Sequence, residues 1–246
     1  MKSLMLLILL LPAAAAVADD RIATDDGEVV VHPVRHGTLV LSWKKTTIYI
    51  DPVGGAELFK EFAPPDLVLV TDIHGDHFHA LTLAAVSTGK TKIIAPQAVL
   101  EKMPEALKEI TSPLANGKST RQLGVTVEAI PMYNLTKERL RFHTKGRGNG
   151  YVLTLGGKRF YISGDTEDIP EMRSLKDIEV AFVCMNLPYT MDVKQAARAV
   201  LIFRPRIVYP YHYRGQGGTK SDVKMFRALI GDDQPIDVRL RDWYVE

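Results

Sequence analysis

The sequence predicts an α/β protein in which β-sheets are covered by helices. Three observations predict it. The first part of the chain is a series of β-branched runs with short polar or glycine-containing breaks, later strand-like runs alternate with helix-like segments, and no linker or fixed-period repeat divides the chain. At 246 residues the chain is long enough for a substantial core. One continuous domain over residues 19–246 is therefore expected, preceded by a leader at 1–18.

Taken in order, "GEVVVHPV", "GTLVLSW" and "TTIYIDP" are β-branched runs separated by short breaks, which predicts an antiparallel meander. "PDLVLVT" reads as a buried strand, residues 80–88 as a helix and "KIIAP" as the next strand. "AVLEKMPEALKEI" predicts a helix that Pro104 breaks or starts, because proline has no N–H to donate. "GVTVEAIPMYN" and "YVLTLGGKRFYISGD" return to strand character, the second turning at Gly156 and Gly157. "DIEVAFVCMN" predicts a buried strand, "MDVKQAARAVLIF" a helix and "RIVYPYH" a last strand.

A formal net charge of +2 argues against a polyanion, so no nucleic-acid partner is expected. The N-terminus has the layout of a secretory signal peptide: Lys2, the apolar run "LMLLILLLP", then "AAAAVA", with cleavage expected after Ala18. That run is shorter than the ~20 residues that span a bilayer, so no stable membrane insertion is expected once the leader is removed. An exported protein, periplasmic or secreted, follows. Its single cysteine, Cys184, lies in the apolar "VAFVCM" and predicts a buried structural thiol without a disulfide.

The chemistry concentrates in "VTDIHGDHFH", residues 70–79, which holds three of the seven histidines and two aspartates directly after an apolar run. Other apolar runs end in Asp51, Asp165 and His212. Polar groups at the ends of packed strands sit on a rigid scaffold, where a site needs them. Alternate positions on an extended segment put Asp72 and His74 on one side, where both can reach one divalent ion at ~2.0–2.2 Å. Asp76 and His77 follow at a turn that Gly75 permits and can address a second ion.

"TDIHGDH" resembles the HxHxDH signature of the metallo-β-lactamase superfamily, and "ISGDT" and "YPYH" resemble its later aspartate and histidine motifs, with "IYIDP" before the first. Within the superfamily the chain looks most like the branch of L-ascorbate-6-phosphate lactonase and similar hydrolases. The resemblance implies a four-layer αβ/βα sandwich with metals at the edge between its sheets. It also implies a hydrolase that uses a metal-activated water on a small-molecule ester, lactone, amide or phosphodiester.

Carried over by position, His74, Asp76, His77, Asp165 and His212 fall on ligand positions. Asp165 would bridge two ions, His212 would complete the second site with Asp76 and His77, and Asp76 would also act on the water. The chain departs from the pattern twice. Asp72 replaces the first histidine, and Tyr133 and Asn134 stand where a histidine is usual, so His143 in "RFHTKGRGNGY" is taken as the replacement ligand. A carboxylate is a harder donor than imidazole. One or two Zn²⁺ ions are expected, with Mn²⁺ or Fe²⁺ tolerated. Asp72 acting only to orient a ligand, and His143 facing substrate, are the alternatives. His36, Arg147, Tyr213 and Arg214 are candidate substrate contacts, and Lys145 shares the glycine-rich "KGRGNG" with Arg147. A di-iron redox protein and a non-catalytic metal-binding or ligand-binding protein are the other classes the pattern admits.

Overall fold

Each β-branched run pairs with its neighbour in chain order, so the computed structural model, which describes residues 20–244, contains two seven-stranded mixed sheets. The leader expected over residues 1–18 lies outside the described residues. The first sheet runs β1 (Asp20–Thr24), β2 (Gly27–Arg35), β3 (Thr38–Trp43), β4 (Thr46–Ile50), β5 (Leu67–Leu69), β6 (Lys92–Ala95) and β7 (Thr111–Pro113). Its first four strands are an antiparallel meander and β4 to β7 are parallel. The second sheet repeats that plan in β8 (Ser119–Gln122), β9 (Val125–Met132), β10 (Gly148–Leu155), β11 (Lys158–Ile162), β12 (Ile178–Cys184), β13 (Ile207–Tyr211) and β14 (Asp237–Val238). Here β8 to β11 are antiparallel, and β11 to β14 parallel. The two halves therefore share a topology for which the sequence shows no periodic signal.

Strand β3 shows how the layers form. Its alternate side chains Leu39 and Leu41 join a large core that also holds Val127 and Leu153 of the second sheet. Val40 points the other way, into a cluster with Val68, Leu83 and Val99. A strand buried on both faces must lie between layers. Leu83 belongs to α1 (Ala80–Val86) and Val99 to α2 (Gln97–Leu100), which cover the first sheet. Helices α4 (Pro170–Arg173), α5 (Val193–Phe203) and α6 (Val223–Ile230) belong to the second half. The α/β sandwich of the metallo-β-lactamase fold is thereby observed.

Local chemistry sets the boundaries. The expected helix around Pro104 is two single turns, α2 and α3 (Glu105–Lys108), with Pro104 as the cap of the second. Helix α5 begins at a capping box in which Asp192 accepts from the Gln195 N–H and the Gln195 side chain accepts from the Asp192 N–H. Gly156 and Gly157 both have positive φ, 51° and 78°, in the two-residue turn between β10 and β11. A Cβ at Gly156 would also collide with the Thr24 hydroxyl.

Among the described residues no helix is long and apolar enough to cross a membrane. Cys184 is buried, its thiol donates to the Thr166 carbonyl, and burial pushes its pKa up to about 12. Reaction requires thiolate and access. Cys184 should stay unmodified by an aromatic disulfide reagent in native buffer and react fully in denaturant.

Parallel strands place their C-terminal ends at one edge. Asp51 follows β4, residues 70–79 follow β5, Asp165 follows β11 and His212 follows β13. Loops at the carboxyl ends of parallel strands are where such sheets build sites.

Candidate metal centre

His77 is held from behind. Its Nδ1 lies 2.7 Å from Asp51 Oδ2 and 3.0 Å from the Thr71 hydroxyl, and Asp51 also accepts from the Thr71 hydroxyl (2.6 Å) and N–H (2.7 Å). With Nδ1–H donated to a carboxylate, Nε2 presents its lone pair forward. Asp51 thus orients His77 and lies outside the grouped ligand atoms. Asp51→Ala should weaken metal affinity by about 10–100-fold, measured by competition with a chromogenic chelator.

His143 is aimed in the same manner. Its Nδ1 is 3.2 Å from the Tyr189 carbonyl, which can only accept. The Asn134 amide donates to the same carbonyl (2.7 Å) and to that of Arg139 (2.9 Å). Asn134, where the resemblance implies a histidine, therefore braces the loop that carries His143.

His212 stacks on His77 with ring centroids 4.8 Å apart and 6° between planes. A Cβ on Gly37 would come within 2.8 Å of His212 Cδ2, so only glycine leaves room for this pair. His36, Asp51 and His212 all have φ near +50° (53°, 46° and 46°), a strained region for residues with side chains that often marks functional loops.

These rings converge on Asp165. Its Oδ2 lies 3.1 Å from His143 Nε2 and 3.4 Å from His77 Nε2, and its Oδ1 lies 3.5 Å from His212 Nε2. Asp76 Oδ2 lies 3.3 Å from both His212 Nε2 and His36 Nε2. Burial would raise the Asp165 carboxyl, but the imidazoles of His212 and His77 outweigh it and hold it well below the usual carboxylate range. Burial would lower His77, but Asp165, Asp51 and Asp76 outweigh it and make this imidazole strongly basic.

The Nε2 atoms of His77, His143 and His212 and Oδ1 of Asp165 are buried with no hydrogen-bond partner. Leaving such atoms unpaired costs about 1–3 kcal/mol each, and clustered imidazole nitrogens and carboxylate oxygens are the donors a divalent cation takes. The residues fit a metal. Ligand atoms fall into three groups, Asp72–His74–His143, His77–Asp165–His212 and His36–Asp76–His212, each within 4.8 Å.

Every predicted ligand is thus brought together. Asp72 is fully buried, 2.7 Å from His74 Nδ1 and 4.0 Å from His143 Nε2. Arg147 grips it with two bonds, Nε to Oδ1 (3.0 Å) and Nη2 to Oδ2 (2.8 Å), and also donates to the Phe142 carbonyl. Arg147, expected at the substrate, therefore faces Asp72, and Lys145 pairs with Glu171. The Tyr213 hydroxyl donates to the Arg241 carbonyl at 3.4 Å, away from the grouped ligand atoms. His36 and Arg214 do border the centre. The hydroxyl of Tyr244 joins them, 2.6 Å from His36 Nδ1 and accepting from the Arg214 N–H at 2.9 Å. Tyr244 was not singled out by the sequence, since nothing in "DWYVE" announces a long-range partner.

Two cavities meet at Asp76. One, about 330 Å³, is lined by His74, Phe142, His143, Asp165, Asn186 and Tyr189. The other, about 300 Å³, is lined by Arg35, His36, Val53, Gly54, His79 and Arg214, among others.

Facing mixed sheets with a histidine–aspartate cluster at their shared edge define a class, the metal-dependent hydrolases of the metallo-β-lactamase fold. Residues 46–213 match the family described as the beta-lactamase superfamily domain. A UPF0173 metal-dependent hydrolase of Pyrococcus abyssi is 30% identical over 183 residues, 73% of this chain and 80% of that protein. One from Thermococcus onnurineus is 32% identical over 171 residues, 68% of this chain and 75% of that protein. A solved structure from Parabacteroides distasonis, assigned as a metal-dependent hydrolase, is 40% identical with a TM-score of 0.82, covering 92% of this chain and 99% of its own. The chain belongs to the metallo-β-lactamase superfamily and, within it, to the UPF0173 metal-dependent hydrolase family.

Proposed function

We propose that this metal-dependent hydrolase is exported and acts on a small ester or lactone, or on a phosphodiester, with Zn²⁺ as the native metal. The orphaned, buried Nε2 atoms of His77, His143 and His212 beside Asp165 carry the reading. One ion would be held by Asp72, His74 and His143 and a second by Asp76, His77 and His212, with Asp165 between them. Such ions supply Lewis acidity, lowering the pKa of water and polarising the electrophile.

The two central carboxylates divide the remaining work by exposure. The Asp165 side chain is 4% exposed and the Asp76 side chain 44%. Asp165 borders one cavity and is almost wholly enclosed by the surrounding imidazoles, whereas Asp76 faces both cavities and can orient water and accept its proton. His36 and His212, each 3.3 Å from Asp76 Oδ2, fix that carboxylate's direction. Phe142 and Tyr189, packed edge to face at 5.2 Å, give one side of the cleft an aromatic wall for an acyl group.

The lactone preference rests on the resemblance to the L-ascorbate-6-phosphate lactonase branch, and β-lactam hydrolysis ranks below it because Asp72 alters the first motif. Elemental analysis of protein purified without added metal should find about two equivalents of zinc, with reduced content in Asp72→Ala and His212→Ala. An ester, lactone and phosphodiester panel should then show turnover that a chelator abolishes. Full metal content without turnover of any member would defeat the hydrolytic assignment of substrate. Export predicts that protein from the extracytoplasmic fraction starts at Asp19, which N-terminal sequencing checks.

A further inference from the structure

The hydrolase reading leaves unexplained why the second cavity at Asp76 carries two arginines. Arg35 has neither a carboxylate partner nor a side-chain hydrogen bond among the described residues. Arg214 likewise has no carboxylate partner, and its guanidinium lies over the Tyr244 ring, 4.7 Å from the centroid. Lys220 approaches the same ring at 5.0 Å. Elsewhere the arginines near buried acids are matched: Arg147 with Asp72, Arg139 with Glu167, and Arg173 and Arg198 with Asp168. Among the described residues the only carboxylate lining this cavity is Asp76, which belongs to the candidate metal centre. Two unmatched guanidinium groups in a concave site adjoining the reacting atoms are suited to an anion, because arginine presents paired N–H donors to carboxylate or phosphate oxygens.

Their placement is built. Arg35 ends β2 and its Nη1 lies 3.2 Å from where a Cβ on Gly54 would be, so Gly54 leaves room for the guanidinium. Tyr244 fixes the opposite wall by accepting from the Arg214 N–H while contacting His36. A single hydroxyl therefore links the cationic wall to the metal centre.

We propose that the Arg35–Arg214 cavity is an anion subsite, so that the substrate carries a carboxylate or phosphate group beside the bond that is cleaved. This rests on the hydrolase reading of the same centre. The substrate would lie across Asp76, its anionic group between the arginines and its less polar part against Phe142 and Tyr189.

Isothermal calorimetry on the zinc-loaded protein, with inorganic phosphate and with succinate as probes, tests it independently of turnover. Arg35→Ala and Arg214→Ala should each weaken binding by about tenfold with zinc content unchanged. Arg35→Lys and Arg214→Lys should retain part of it. Arg206→Ala, at the opposite end of β13, should bind as the parent does. A loss confined to phosphate, or to succinate, identifies which anion the subsite takes. Equal binding by the parent and the Arg35→Ala/Arg214→Ala double variant would overturn the proposal. Loss of anion binding in the arginine variants of a protein that cleaves no ester, lactone or phosphodiester would keep the subsite and reject the hydrolytic substrate assignment.

Discussion

Asp165→Ala should lower kcat/KM on any substrate the protein turns over by about 10³-fold or more and reduce bound metal to about one equivalent or less. The carboxylate sits within 3.5 Å of three imidazole Nε2 atoms supplied by three different loops. Removing it deletes the group proposed to lie between both ions and leaves three imidazole rings facing each other. A reduced metal count measured beside circular dichroism separates ligand loss from unfolding. Asp165→Asn keeps the shape and one oxygen but removes the charge, so it should retain the fold and still lose most of the metal. Undiminished metal content and activity in both variants would sink the idea of a shared carboxylate.

The candidate centre was legible in the sequence because its candidate ligands follow apolar strands, where local pattern is strongest. Asp72, His74, Asp76 and His77 lie within one hexapeptide, His212 directly follows β13, and Asp165 comes three residues after the end of β11. What supports those ligands was less legible. Asp51 was visible as a strand-end carboxylate, but its pairing with His77 Nδ1 depends on β4 and β5 lying side by side. Asn134 and Tyr189 hold His143 from segments 55 residues apart, and Tyr244 reaches His36 across 208 residues. Such contacts have no sequence signature because they are made by sheet packing. The same holds for the short strands β7 and β14, three and two residues long, which are too short for alternation to show. Arg147 illustrates the opposite error. A glycine-flanked arginine reads as an anion contact, and here the anion is an aspartate of the same chain.

Arg147→Ala should destabilise the metal-free protein by about 3–5 kcal/mol, since it leaves the buried Asp72 carboxylate without its cation. For a domain of this size that corresponds to a fall in Tm of about 10 °C. The Asp72→Ala/Arg147→Ala double variant removes the orphaned charge with its partner and should recover part of the loss, so the two substitutions are not additive. Zinc then decides what Asp72 does. If Asp72 is a ligand, zinc supplies the missing positive charge in Arg147→Ala and raises its Tm more than that of the double variant, by linkage. If Asp72 serves only to orient His74 through the 2.7 Å contact, the difference should shrink to that given by the affinity loss of about 10–100-fold expected for removing an orienting carboxylate. The parent answers the remaining question of charge. Arg147 already occupies both Asp72 oxygens, so a metal bound there shares an anion with arginine and gains less from it than from an unpaired carboxylate. The first site should therefore be the weaker of the two, and stepwise removal by a chelator should empty it before the site built on His77 and His212.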